Sequence, residues 1–151
     1  MNKYNISAGR HEKQIEKMKK LTDSGVCAFC PEYFIEHHDN PIEFETKHWI
    51  VTKNDYPYKH TTTHLLIILR EHARSMKEIT KESRAEFMEV LARIEKQFDL
   101  NSFALGMRVG DMFYNGGSVE HLHAHVVVGD FSDPKNHNKV RFKMSSVPDN
   151  I

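Results

Sequence analysis

The sequence predicts an α+β domain: a mostly antiparallel sheet with one long helix and short flanking helices. Three observations carry this. Residues 64–70, HLLIILR, and 121–128, HLHAHVVV, are apolar runs of strand length. Residues 80–98 place Phe87, Leu91, Ile94 and Phe98 at i, i+4, i+7 and i+11, the spacing of one helix face, with Met88 beside them. Strands interrupted by one long helix, rather than alternating with several, favour antiparallel pairing.

Taken in order, residues 10–22 are charged but space Ile15, Met18 and Leu21 as a short amphipathic helix. Residues 1–22 therefore read as a helical extension and 23–151 as a single domain, a length that suits one sizeable core. HWIVTK (48–53) reads as a strand. NDYPYKHTTT then carries a proline among polar residues, as a loop does. HLLIILR is aliphatic throughout, as a central strand covered on both faces would be. After the long helix, SFALGMRVG alternates Phe103, Leu105, Met107 and Val109, a half-buried strand. DMFYNGGS is a loop that leads into the histidine strand. GDFSDPKNHNK is a polar loop, and VRFKM (140–144) reads as a last edge strand.

Composition narrows the function. Lysine plus arginine equal aspartate plus glutamate, at 21 each, so no broad nucleic-acid or membrane surface is expected. No apolar stretch approaches the roughly 20 residues that span a bilayer. The charged start has no apolar signal core, which points to a cytoplasmic protein. There Cys27 and Cys30, as C-x-x-C, indicate metal or redox chemistry before a structural disulfide.

The chemistry concentrates at 116–125. In a strand, residues i, i+2 and i+4 share a face, so His121, His123 and His125 point one way and Leu122, Ala124 and Val126 the other. Same-face neighbours stand roughly 6.5–7 Å apart, close enough for imidazoles to converge on one small ligand. Two readings follow. The histidines hold a catalytic metal with an open position, or one of them is a nucleophile toward phosphorus. The preceding loop favours the second. Gly116 and Gly117 permit close backbone approach, consecutive N–H groups can form an anion nest, and Ser118 adds a hydroxyl. EHHD (36–39) reads as a solvated loop, and Phe44 and Trp49 as core residues rather than walls of a base pocket.

GGSVEHLHAHVVV resembles the signature of the histidine-triad family, His-φ-His-φ-His-φ-φ after a Gly-x-Ser element. CAFC, NDYPYKHTTTHLLIILREH and RVGD extend the resemblance over 27–130 and lean toward the branch of diadenosine-polyphosphate hydrolases and phosphorylases. It implies the α+β histidine-triad fold, a homodimer and a nucleotide substrate. His123 would attack the α-phosphorus and carry a transient nucleotidyl group. His125 and Ser118 would stabilise phosphate charge, Asn54 would contact the ribose, and His64 would support the triad. Cys27, Cys30, His72 and His121 would bind a structural zinc, as in some members, and no organic cofactor is expected. The chain departs from the family where many members have Gly-Gln-Ser: position 117 is glycine. The Pro-Arg usual after the triad is here VGD. Two other classes therefore stand beside the enzyme: a nucleotide-binding or sensor protein with little turnover, and a hydrolase with an open zinc site.

Overall fold

The computed structural model describes residues 2–148. The elements run α1 (Glu12–Ser24), α2 (Pro31–His37), β1 (Ile42–Glu45), β2 (Trp49–Lys53), β3 (Thr61–Leu69), α3 (Lys81–Gln97), β4 (Ala104–Met107), α4 (Met112–Asn115) and β5 (His123–Gly129), with short 3-10 turns at Ile6–Ala8 and Met76–Glu78. The strands form one five-stranded sheet in the order β1-β2-β3-β5-β4, antiparallel throughout. The α+β class read from the sequence holds.

The aliphatic run in β3 is continuous because this strand is covered on both faces. Leu65, Ile67 and Leu69 join Phe87, Val90, Leu91 and Ile94 of α3 in the main core. Leu66 and Ile68 pack with Phe34 and Ile50 on the other face. Each fully buried side chain of this size contributes about 1.5–3 kcal/mol of hydrophobic stabilisation. Leu122, Ala124 and Val126 enter the main core too, so the histidines of the same stretch are left on the α2 side. Thr80 caps α3 by accepting the Ser83 N–H at 3.1 Å. Trp49 is fully buried and donates its indole N–H to the Ser83 carbonyl at 2.8 Å, which ties β2 to that helix. Phe44 is buried in the same core.

Several details differ from the sequence reading. Residues 112–115 of DMFYNGGS, read as loop, form the short helix α4, capped by the Asp111 side chain. Met88, placed beside the apolar face of α3, is 63% exposed, and Val90 takes the core position instead. Helix α2 and strand β1 had no counterpart in the sequence pattern; Pro31 opens α2 at its first turn. His38 does not lie in a solvated loop. Its ring stacks on Phe34 with centroids 4.6 Å apart, and its Nδ1 lies 3.2 Å from Asp55 Oδ2. Residues 140–144 are not a strand. Their alternation mimics one, but side chains rather than a ladder hold them. Arg108 Nε donates to the Lys143 carbonyl at 2.9 Å, and the Ser146 N–H donates to the Tyr114 carbonyl at 3.0 Å. Phe142 sits against Gly106, where a Cβ would stand 2.6 Å from its ring. Only glycine in β4 leaves room for it.

The segment before α1 is attached to the domain rather than trailing from it. Tyr4 forms a bridge with Val119 and is buried with Met18, Leu21 and Ala28.

Candidate functional site

Two sites share the histidine stretch. At its start, Cys27, Cys30, His72 and His121 each offer a ligand atom, all within 4.8 Å of one another. Cys27 Sγ is 3.4 Å and Cys30 Sγ 3.7 Å from His121 Nδ1, and Cys30 Sγ is 3.3 Å from His72 Nδ1. Sulfur and nitrogen ligands around one tetrahedral ion stand about 3.5 Å apart. His121 Nε2–H donates to the Leu69 carbonyl at 2.6 Å. That bond fixes the tautomer and turns the Nδ1 lone pair toward the thiols, as a ligating histidine requires. Burial, and then Cys27 beside it, push the Cys30 thiol up to about 12. A cation would reverse that by stabilising the thiolate. The donor set, the spacing and the fixed tautomer fit a metal ion held by four protein ligands. The cluster also takes His121 away from its two neighbours, so three histidines converging on one open metal is not the geometry present.

The other two strand histidines face a cavity of about 460 Å³. His123 Nδ1–H donates to the His121 carbonyl at 2.5 Å, which leaves the Nε2 lone pair free. Burial lowers its pKa to about 4, partly opposed by that hydrogen bond, so the ring is neutral near pH 7. Phe29, from the CAFC loop, sets its edge against His123 with centroids 5.1 Å apart and against His121 at 6.1 Å. The metal cluster and the cavity thus share a wall.

His125 and His64 form a directed chain. The Tyr58 N–H donates to His64 Nδ1 at 3.0 Å, so that nitrogen bears no proton and His64 is the Nε2–H tautomer. His64 Nε2–H donates to His125 Nδ1 at 2.8 Å, which leaves the proton of His125 on Nε2. Among the described residues, His125 Nε2 is buried without a hydrogen-bond partner. Burial, with His123 and His64 adding to it, holds His125 well below its ordinary pKa. His64 is pushed down to about 3, first by burial and then by Arg10 and His123. His123 thus offers a free imidazole lone pair, and His125, which also lines the cavity, keeps a buried N–H donor unmatched among the described residues. A buried unpaired donor costs about 1–3 kcal/mol, which an acceptor in the cavity would offset.

The remaining expected residues fall as follows. Ser118 and Asn54 line the cavity. Asn54 accepts the Tyr56 N–H at 2.9 Å, and its amide nitrogen is 3.2 Å from His64 Nε2. Gly116 lies at the end of α4 with φ +78° and borders the cavity. The N–H groups expected to form a nest have partners inside the protein: Gly116 donates to Ser146 Oγ at 3.0 Å and Gly117 to Asn115 Oδ1 at 2.9 Å. The sequence reading missed Arg10, Tyr58, Arg108 and Phe142. Arg10 and Phe142 come from segments outside the motif, and no spacing rule linked them to it. Tyr58 in NDYPY and Arg108 in RVGD entered the sequence reading only as members of a pattern.

A five-stranded antiparallel sheet with paired imidazoles facing a cavity is the architecture of a histidine-triad protein. The sequence profile of the HIT domain family matches residues 38–132, and the chain belongs to that family. Solved structures of similar fold include a HIT family hydrolase from Clostridium thermocellum (24% identity, TM-score 0.55, covering 72% of this chain and 95% of that one). A hypothetical histidine triad nucleotide-binding protein from Sulfolobus tokodaii is similar at 19% identity and TM-score 0.55, covering 80% of each chain. A zinc-bound histidine triad protein from Mycobacterium smegmatis is similar at 20% identity and TM-score 0.54, covering 80% of this chain and 84% of that one. Among curated proteins there is no significant match.

Proposed function

We propose that this protein is a nucleotide hydrolase or nucleotidyl transferase that works through a covalent nucleotidyl-histidine at His123. One observation carries the reading: His123 Nε2 is held open toward the cavity while His125 beside it presents an unmatched, buried Nε2–H. In the first step Nε2 of His123 bonds to the α-phosphorus. The bond from phosphorus to the departing group breaks, and its electron pair leaves with that group. His125 Nε2–H and the Ser118 hydroxyl hydrogen-bond the phosphoryl oxygens as charge builds there. In the second step water or inorganic phosphate displaces the imidazole and releases the nucleotide. Two easier displacements replace one difficult one. Asn54 meets the ribose, and the substrate is a dinucleoside polyphosphate or another adenine-nucleotide conjugate.

Zinc is the ion we assign to the Cys27–Cys30–His72–His121 cluster. Its preference for a closed thiolate–imidazole tetrahedron matches these donors, and a zinc-bound relative of the same fold supports the choice. Its role is structural: it locks the CAFC loop and His121 together and thereby fixes the wall against His123. We also propose a homodimer, in which the outer edge of β4, with Leu105 45% exposed, meets a second copy. Cytoplasmic conditions would keep both thiols reduced. No helix among the described residues is long and apolar enough to cross a membrane.

The test is capture of the intermediate. Substrate labelled at the α-phosphate, quenched without acid, should leave acid-labile, base-stable label on the wild-type protein and none on His123→Ala. Label retained by that variant would place the nucleophile elsewhere.

A further inference from the structure

With His123 as the nucleophile of the proposed reaction, the charge around the cavity specifies what leaves. The chain is balanced overall, yet the triad cavity and a second cavity of about 680 Å³ beside it are lined by seven of its 21 lysines and arginines and one of its 21 acidic residues. That one, Asp55, is already committed: it accepts the Asp39 and Asn40 N–H groups at 2.9 and 3.1 Å and pairs with His38. The two cavities meet at Arg10, Tyr58 and Arg141.

Two guanidinium groups lie over the two aromatic rings that stand beside His125. Arg10 lies over the Tyr58 ring, 4.2 Å from its centroid, and donates to the Tyr56 carbonyl at 2.8 Å. Arg108 lies over the Phe142 ring at 3.9 Å. Those two rings each stand 5.5 Å from the His125 ring, one stacked and one edge-on. Neither arginine has a carboxylate partner among the described residues. Position 117 helps to make room. A Cβ there would meet Asn115 Oδ1 at 2.9 Å and Arg108 Cδ at 3.4 Å, so the stem of Arg108 runs through space a side chain at 117 would use.

A neutral departing amine would leave both guanidinium groups unmatched. A departing phosphate would bring charge into the cavity that both arginines line, and further phosphates could reach the second basic cavity past Arg10 and Arg141. We propose that Arg10 and Arg108 are the residues that bind the departing phosphate, so that this site discriminates against a nucleotide conjugate whose leaving group carries no charge. When the α-phosphorus–oxygen bond breaks, its electron pair goes to the bridging oxygen of the departing phosphate. The two arginines meet the added negative charge, and no proton or co-reactant beyond water is needed.

The test separates this subsite from the nucleophile. Inorganic tripolyphosphate is titrated calorimetrically into metal-loaded wild type, Arg10→Gln, Arg108→Gln and the matching lysine variants. The expected result is a Kd raised about tenfold or more in each glutamine variant and largely restored in Arg10→Lys. For turnover, kcat/KM on diadenosine tetraphosphate should fall at least about tenfold further than on adenosine phosphoramidate, whose leaving group carries no phosphate. Equal losses on both substrates, or an unchanged tripolyphosphate Kd, would overturn the subsite. So would a single-stranded RNA oligonucleotide whose binding depends on Arg10 more strongly than that of tripolyphosphate. If wild type turns over neither substrate, the His123 reading fails while tripolyphosphate binding still decides the subsite.

Discussion

His121 and His123 are two residues apart in one stretch, and each gives one ring nitrogen to a backbone carbonyl. The carbonyls take opposite nitrogens. His121 gives Nε2–H to Leu69 and turns Nδ1 toward the two thiols. His123 gives Nδ1–H to His121 and turns Nε2 toward the cavity. The same side chain thus becomes a ligand in one place and an open lone pair in the other. What decides is which backbone acceptor lies within reach, not the residue type. Between the two sites stands Phe29, so the cluster can shape the cavity without entering it.

The largest effect expected from breaking this pair is on turnover. His123→Ala removes the nitrogen proposed to attack the α-phosphorus. It should lower kcat by about 10³-fold or more while the Kd for nucleotide changes little. His121→Ala should show the reverse order, losing metal and thermal stability before chemistry. Comparable kcat in wild type and His123→Ala, measured on the best substrate found, would end the nucleophile assignment.

The next effect is on stability. Purified protein should hold about one zinc per chain. Cys30→Ser or His72→Ala should lower zinc content and Tm together, with a drop on the order of 10 °C if the metal links the CAFC loop to the histidine strand. Metal-free protein that melts with the metal-loaded form would remove the cluster from the account of the fold.

How far each site could be read from the chain follows from where its residues lie. The strand face of His121, His123 and His125 was legible because a period of two is a local rule. The C-x-x-C pair was legible as metal or redox chemistry, and its partners His72 and His121 only through family resemblance. The opposite tautomers were not legible, because Leu69 and His121 offer backbone carbonyls whose direction depends on how β3 and the histidine stretch pair. Arg10 and Phe142 were hidden for a related reason. They reach the cavity from the two ends of the chain, and nothing short-range ties residue 10 or residue 142 to residue 125. VRFKM shows the opposite failure: its alternation satisfied the strand rule, yet Phe142 settles over Gly106 and Arg108 takes the Lys143 carbonyl.

The smallest effect sharpens the comparison on the side of the cavity, through His64. This ring is only 5% exposed, accepts from the Tyr58 N–H and donates to His125, an arrangement that requires it to be neutral. Its folded pKa is lowered to about 3, chiefly by burial, against an unfolded value of 6.5. The folded state therefore binds fewer protons than the unfolded state between those two values. The stabilisation is complete above about pH 6.5 and is lost as the pH falls toward 3. Where the unfolded ring is protonated and the folded ring is not, His64 alone contributes a slope of about 1.4 kcal/mol per pH unit. His64→Gln removes that titration while keeping an amide that can donate toward His125. Its stability, measured by denaturant unfolding between pH 7 and 5 at matched metal content, should fall by close to one proton's slope less than that of wild type. The variant should also be the less stable of the two at pH 7, since an amide cannot reproduce both hydrogen bonds at the ring's spacing. Parallel acid limbs for the two proteins would mean that His64 takes up a proton in the folded state, and the directed chain from Tyr58 through His64 to His125 would have to be redrawn.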